Sequence, residues 1–345
     1  MTHPRRRWPI VALSFAATIG VSLYVILTTW PEQRSPVRLP IGTHLLALLA
    51  VALEIGARAS KISLSAAALR IRLSLEASAR TVLGGDFGAA ITPARSGAEP
   101  ARFLILSETG APVASVLMLL FAELFLEVMS LFVVGAALLF LVHGARRMLG
   151  GLIGLVGGYA LVVTGAAMMA LVLSRRRARA APPGWAARIG LRGRRWEAVQ
   201  RALFQLRVSV VALRDLRPGY ACAALGMSIL HVVMRLAVLP ILVYGFPGST
   251  ALAPLVVWPL ALFYGGVVTP VPGGGGLIEV AFRQVLGGVI APRIFTATLI
   301  WWRFYTFYLY ILLGALCAGG TVMKAIRSAD DEAAGEPTGV SAPSS

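Results

Sequence analysis

Long apolar segments alternate with shorter polar ones along most of the chain. Seven apolar segments stand out, and they cover residues 8–29, 39–53, 112–142, 149–173, 220–244, 251–268 and 295–322. A helix needs about 20 mostly apolar residues to cross a bilayer, so the second segment is short and the third is long enough to tilt. The pattern predicts an all-α integral membrane protein with seven or eight transmembrane helices.

A run of proline and glycine interrupts the pattern between the sixth and seventh segments. It reads TPVPGGGGLIEVAF over residues 269–282 and contains four consecutive glycines, Gly273, Gly274, Gly275 and Gly276. Lipid cannot satisfy the backbone polar groups of such a break, so protein or water must surround it. Transporters use broken helices to bind anions, because a helix N-terminus offers free N–H groups and a positive dipole end. We therefore predict a re-entrant half-helix from near Gly276 to Gly287-Gly288, aimed at an anion.

A second broken element is predicted at residues 92–102, which read TPARSGAEPAR. Both elements open with Thr-Pro, contain glycine and place an arginine after an acid. The acid–arginine pairs are Glu99 with Arg102 and Glu279 with Arg283. This similarity suggests an internal two-fold repeat with a site between the halves, and chance similarity is the alternative. Ser96 and Glu99 have the spacing of a capping box, which predicts a helix that opens there and runs toward Ser107.

The polar segments predict the topology and the domain organisation. Residues 174–218 hold twelve arginines and only two acids, so this loop should be cytoplasmic. Three arginines at positions 5–7 precede the first segment, which we interpret as a retained signal anchor with a cytoplasmic N-terminus. Residues 58–80 are basic and partly apolar, a pattern typical of an interfacial helix on the inner leaflet. Residues 1–325 would then form one polytopic membrane domain, and residues 326–345 a disordered tail.

Composition and charge narrow the function class. The 345 residues are 57% hydrophobic with a mean hydropathy of +0.78, and the net charge of +17 comes almost entirely from arginine. These charges flank apolar segments, so orientation in a bacterial cytoplasmic (inner) membrane explains them better than nucleic acid, which we do not expect as a partner. We interpret Cys222 and Cys317 as small core residues. The sequence has no ATP-binding loop and no protease or hydrolase motif, so we expect neither an enzyme nor a cofactor or metal.

Charged residues inside apolar segments are the main candidates for chemistry, because they are costly there and usually mark a cavity or a pathway. Arginines in a polar cavity would bind phosphate. Arg303 could instead reach toward the membrane interface. For Glu123 and Glu127 we favour a structural, charge-balancing role, since carboxylates repel phosphate. The predicted substrate-binding residues are Arg95, Glu99, Arg102, Gly273, Gly274, Gly275, Gly276, Glu279, Arg283, Arg235 and Arg303.

Three segments in this order resemble the lysylphosphatidylglycerol synthase transmembrane-region family, flippase-like membrane proteins of bacteria and archaea. They are TPARSGAEPAR at 92–102, ELFLE at 123–127 and PVPGGGGLIE at 270–279. The resemblance covers about residues 8–325. The family's usual Glu-Arg pair in the third segment reads Glu123-Leu124 here. Full-length synthases add a soluble aminoacyl-transferase domain, and we do not expect that activity from this chain.

The resemblance implies that an anionic or lipid-linked substrate moves between the membrane leaflets. The expected substrate is a phospholipid or a polyprenyl- or isoprenoid-linked lipid, with its phosphate bound by the broken-helix N-termini and the intramembrane arginines. Two alternatives stay open. One is an integral-membrane lipid-modifying transferase, and the other is a non-transporting subunit that partners a lipid-synthesis enzyme in an envelope-lipid complex.

Overall fold

The computed structural model describes residues 38–92, 95–142, 217–248, 250–265 and 276–321, and eight isolated positions elsewhere. Every regular element within these ranges is helical, which confirms the predicted all-α fold. The helices are α1 (Ile41–Ala68), α2 (Leu75–Ile91), α3 (Ala98–Ser107), α4 (Val113–Leu141), α5 (Pro218–Tyr244), α6 (Leu252–Gly265), α7 (Leu277–Leu286) and α8 (Pro292–Arg303). A π-helical turn, Phe304–Tyr308, follows α8, and the helix then continues to Thr321.

Three of the described helices are long and apolar enough to cross a membrane, namely Val113–Leu141, Pro218–Tyr244 and Pro292–Thr321. They coincide with three predicted apolar segments, so the chain is a multi-pass membrane protein. Apart from isolated positions, the segments at 8–29 and 149–173 and most of the loop 174–218 lie outside the described residues, as does the tail 326–345. Both cysteines are exposed, so their interpretation as core residues was wrong. In a membrane protein the lipid-facing surface is as apolar as the core, and apolar surroundings in sequence do not distinguish the two.

Helix α1 differs most from the sequence prediction. The predicted second segment ends at residue 53, but α1 is 28 residues long and continues to Ala68. The interfacial helix predicted at 58–80 is therefore wrong, because its first part belongs to α1 and its last part to α2. Glu54, Arg58 and Lys61 recur at helical spacing and are all buried. They face acids and bases on other helices, so α1 stays in the protein interior where its apolar pattern ends.

Helices α1 and α5 pack antiparallel along their whole length. The backbone N–H of Arg217 donates to the carbonyl of Ala68 at 3.2 Å, which joins the end of α1 to the start of α5. At the opposite end, Gly245 lies against the side chain of Thr43. The charged residues in the middle of α1 consequently face the middle of α5, where His231 and Arg235 lie.

Helices α2 and α3 form a tight pair through small residues and one threonine. The hydroxyl of Thr92 donates to the carbonyl of Gly88 at 2.7 Å and accepts the N–H of Gly97 at 2.8 Å. Gly97, and not Ser96, is the N-cap residue of α3, so the predicted capping box is wrong by one position. The predicted end of this helix at Ser107 is confirmed.

Helix α7 has the bounds that the glycines predict. It begins after Gly276, whose φ of 79° lies outside the range that L side chains readily adopt, and it ends before Gly287. Phe282 and Leu286 anchor α7 in the largest buried apolar cluster, where Phe282 contacts Trp302 of α8 with ring centroids 4.9 Å apart. This packing fixes Glu279 of α7 beside the end of α8.

Candidate functional site

Three arginines from distant parts of the chain line one cavity, which we call the arginine cavity. Arg95 precedes α3, Arg235 is on α5 and Arg303 ends α8. The cavity is narrow and partly open, with a volume of about 30 Å³, and aromatic side chains of α6 and α8 complete its wall. An adjoining cavity of about 20 Å³ shares Arg95 and Arg235 and adds Asp86 of α2. Arginine in such a setting presents a planar fork of donors that matches a phosphate group.

Arg303 is held on one side only. Its Nε donates to Glu279 Oε1 at 2.8 Å, and both side chains are almost fully buried. The guanidinium carbon lies 4.3 Å from the centre of the Phe307 ring. Nη2 is buried and has no hydrogen-bond partner among the described residues. The side chain is 6% exposed, so it does not extend to the membrane interface, and one end of its fork can still accept a ligand.

Arg235 is held mainly by aromatic rings. Its guanidinium carbon lies 4.9 Å from the ring centre of Phe263 and 5.8 Å from that of Tyr310. The nearest carboxylate oxygen, on Glu54, is 3.9 Å from Nη1, a weak contact for a buried pair. Its Nε is buried without a hydrogen-bond partner in the described part of the chain. The positive charge of Arg235 is therefore only partly compensated.

Arg95 has no acidic partner within the described residues, and its backbone is unusual. Its φ is 56°, in the left-handed region that side chains other than glycine and asparagine seldom adopt. Arg95 lies between α2 and α3, and its side chain lines both cavities. Unusual backbone of this kind is found preferentially at functional sites.

A tightly paired set of charges surrounds the arginine cavity on the α1 and α2 side. Arg58 forms a two-point contact with Asp86, at 2.6 and 3.0 Å, and lies 3.6 Å from Glu54. The Tyr310 hydroxyl donates to Glu54 at 2.8 Å. These contacts fix Asp86 and Glu54 in place and pair both acids with cations other than Arg95.

A second group of titratable residues, which we call the glutamate cluster, lies one turn of α5 away from Arg235. Glu127 of α4 accepts from Lys61 of α1 at 2.9 Å and from the Tyr264 hydroxyl at 2.8 Å. Its Oε1 is also 3.2 Å from Nε2 of His231. Glu123 completes the cluster, 3.5 Å from Lys61. Four helices therefore meet at Glu127.

Arg102 belongs to the edge of this cluster and not to the arginine cavity. Its Nη1 lies 3.4 Å from Glu123 and 3.2 Å from Glu99. The side chain crosses α2 at Gly85, where an added Cβ would lie 2.5 Å from the guanidinium Nε. Glu99 is 62% exposed, in contrast to Glu279, so the two acid–arginine pairs predicted from the sequence have different surroundings.

The remaining predicted residues fall into two groups. Arg283 is exposed and lines neither of the two cavities described above, so the structure does not support its place in the site. Gly276 starts α7, whereas Gly273, Gly274 and Gly275 lie outside the described residues. Sequence reasoning missed several interior residues, although the helical spacing of the three on α1 was visible. They are Glu54, Arg58, Lys61, Asp86, Tyr264 and Tyr310.

Among the described residues, the buried and half-buried cations outnumber the buried and half-buried acids by one. The cations are Arg58, Lys61, Arg95, Arg102, Arg235 and Arg303, which are six, and the buried or half-buried acids are Glu54, Asp86, Glu123, Glu127 and Glu279, which are five. Within the described part of the chain, Arg95 is the cation without an ion pair. The exposed Glu99 also pairs with Arg102, and with Glu99 counted the two sets are equal in number.

Comparison with known proteins identifies one family. The family model described as the lysylphosphatidylglycerol synthase TM region matches residues 10–314, and this match confirms the resemblance drawn from the sequence. No curated protein matches the chain.

Proposed function

We propose that this protein moves an anionic or lipid-linked substrate between the membrane leaflets. The chain belongs to the lysylphosphatidylglycerol synthase TM-region family, which gives it a role connected with membrane lipids. The phosphate of the headgroup binds in the arginine cavity. The acyl or prenyl chains stay in the bilayer beside the protein.

The convergence of Arg95, Arg235 and Arg303 supports this proposal most directly. Burying a cation is costly unless an anion accompanies it. Here Arg95 forms no ion pair among the described residues, although Asp86 lines the adjoining cavity with it, and Arg303 Nη2 has no hydrogen-bond partner there. A phosphate oxygen would satisfy both, through charge-assisted hydrogen bonds that are about twice as strong as neutral ones.

The aromatic wall suits a lipid headgroup that must also leave the site. Phe263 and Phe307 lie against the cavity arginines at 4.9 and 4.3 Å. Cation–π contacts hold the guanidinium groups in place without neutralising them. The arginines therefore stay oriented when the cavity is empty, and the anion is bound by groups that need little rearrangement.

Reconstituted protein tests the proposal. Liposomes carrying purified full-length protein would contain phosphatidylglycerol with a fluorescent label on one acyl chain. An impermeant quencher added outside would report the fraction of labelled lipid in the outer leaflet. We expect faster loss of protected fluorescence than in protein-free liposomes, and a smaller effect with labelled phosphatidylcholine, whose headgroup has no net charge. Equal rates of fluorescence loss in liposomes with and without the protein would contradict translocation. Chemical conversion of the lipid would favour a transferase, and copurification with an active enzyme without translocation would favour a complex subunit.

The cellular setting belongs to the same proposal. The bacterial inner membrane and a cytoplasmic N-terminus follow from the distribution of arginine, in particular the twelve arginines of residues 174–218. No ATP-binding loop occurs in the sequence, so transport would be passive, coupled to an ion or driven by a partner.

A further inference from the structure

We propose that the glutamate cluster binds a proton when an anion binds in the arginine cavity, so that the lipid moves together with a proton. This inference rests on the proposed function and assigns an ion to it. The proton adds to Nδ1 of a neutral His231, and the imidazolium that forms keeps its Nε2–H directed at Glu127. Uptake of one proton with one phosphodiester monoanion leaves the total charge of the complex unchanged.

His231 has the geometry of a proton acceptor. It is 1% exposed and lies in the middle of α5. Nε2 is 3.2 Å from Glu127 Oε1, whereas Nδ1 is buried without a hydrogen-bond partner among the described residues. A neutral imidazole that donates through Nε2 leaves a free lone pair on Nδ1. Histidine is also the side chain that ordinarily changes charge between pH 5 and 8.

Helices α1, α4 and α6 each contribute a charged or titratable group to the cluster around His231. Lys61 comes from α1, Glu123 and Glu127 from α4, and Tyr264 from α6. Arg235 is the charged neighbour on α5 itself, and Arg102 of α3 reaches the cluster through Glu123. With Glu99 beside Arg102, the group holds three acids and the three cations Lys61, Arg102 and Arg235, so a proton on His231 would give it one net positive charge. A phosphate monoanion beside Arg235 would offset that charge.

Three helices connect the glutamate cluster to the arginine cavity. On α5, His231 and Arg235 are four residues apart, about 6 Å along the axis. On α6, Tyr264 contacts Glu127 while its neighbour Phe263 contacts Arg235. On α1, Lys61 is in the cluster and Arg58 holds Asp86 at the wall of the adjoining cavity.

Electrostatics then links the two events. Glu127 contacts the imidazole at 3.2 Å and attracts a positive charge there, whereas Arg235, one helical turn away, repels it. An anion beside Arg235 cancels that repulsion, because opposite charges favour the protonated imidazole. By linkage, a proton on His231 must favour anion binding by the same factor. Protonation and lipid binding therefore support each other.

Calorimetry measures this coupling directly. Full-length protein in detergent would be titrated at pH 7.5 with dihexanoylphosphatidylglycerol, a short-chain lipid whose phosphodiester stays ionised. Repeating the titration in buffers of different ionisation enthalpy gives the number of protons taken up for each ligand bound. We expect wild-type protein to take up a clear fraction of one proton, and His231→Gln, which keeps a donor toward Glu127, to take up none.

Tyr264→Phe is the matched control. It removes a hydrogen bond to the same Glu127 oxygen but no group that titrates near neutrality, so it should keep the wild-type proton uptake. Binding to wild type without proton uptake would overturn the coupling and leave the proposed function standing, and this result needs no variant. Unchanged uptake in His231→Gln would overturn the assignment to His231. If wild type neither binds nor translocates this lipid headgroup, the proposed function fails and the coupling fails with it.

Discussion

Arg303 and Arg95 line the same cavity, but their side chains are held in different ways. Arg303 is buried against Glu279, and its loss would remove that buried ion pair. Arg95 has no ion pair among the described residues, so its loss strands no charge there. A substitution of Arg303 therefore changes both the stability of the fold and the site. A substitution of Arg95 changes mainly the site.

Arg303→Met should destabilise the protein by about 3–5 kcal/mol, because it breaks a buried ion pair by removing one partner. In Arg303→Met with Glu279→Gln, both charges are absent and much of this loss should be recovered. The free energy of unfolding of the single and double variants, measured in the same detergent, checks the expectation. A double variant no more stable than Arg303→Met would show that Glu279 and Arg303 do not stabilise each other.

The sequence could identify site residues only where a charged residue lies in an apolar segment, because such residues are rare. Arg235, Arg303, Glu123 and Glu127 are charges in apolar segments, and that alone marks them. Their partners could not be predicted, because Glu279 and Arg303 are 24 positions apart and meet only through the packing of α7 on α8. The charges of α1 were assigned to an interfacial helix because a helix with a buried charged stripe and one that lies on a membrane have similar sequences.

At the scale of elements, α7 shows where local signals are sufficient. Its start at Gly276 and its end at Gly287 depend on backbone conformation, which glycine controls directly. The start of α3 depends instead on the contact of Thr92 with Gly88 and Gly97. That contact forms only when α2 and α3 pack, so a local capping pattern misplaced the start.

Gly276→Ala should destabilise the protein and slow translocation. A φ of 79° costs an L residue about 1–3 kcal/mol, and relief of this strain would shift the first turn of α7, which carries Glu279. Gly226→Ala is the matched control, because Gly226 is inside α5 with open space around it and alanine is the better helix former there. Thermal unfolding and lipid translocation of both variants would be compared, and equal behaviour of the two would remove the argument for a special backbone at Gly276.

At the scale of the whole molecule, the packing of α1 on α5 constrains the topology. The end of α1 and the start of α5 are hydrogen-bonded, so residues 68 and 217 lie on the same side of the membrane. The predicted topology also places both on one side, which the arginine-rich loop makes the cytoplasmic side. The orientation as a whole stays a prediction.

Thiol labelling tests that orientation. Single cysteines would replace Ser35 and Ser174 in a background without Cys222 and Cys317, both of which are exposed and free. An impermeant maleimide added to intact spheroplasts should label Ser35→Cys and spare Ser174→Cys until the membrane is broken. Labelling in the opposite order would place the arginine-rich loop outside and invert the topology.

The most direct test compares two arginines that share a residue type and a left-handed backbone. Arg95 and Arg70 have φ values of 56° and 60°, but Arg95 lines the arginine cavity whereas Arg70 is exposed. Asparagine tolerates this conformation, so Arg95→Asn and Arg70→Asn should both keep wild-type thermal stability. In liposomes with equal amounts of protein, Arg95→Asn should translocate fluorescent phosphatidylglycerol about tenfold more slowly or worse, since a lost charge-assisted contact costs roughly 1.5–3 kcal/mol. Arg70→Asn should match wild type. A stable Arg95→Asn protein with the wild-type rate would contradict phosphate binding in the arginine cavity.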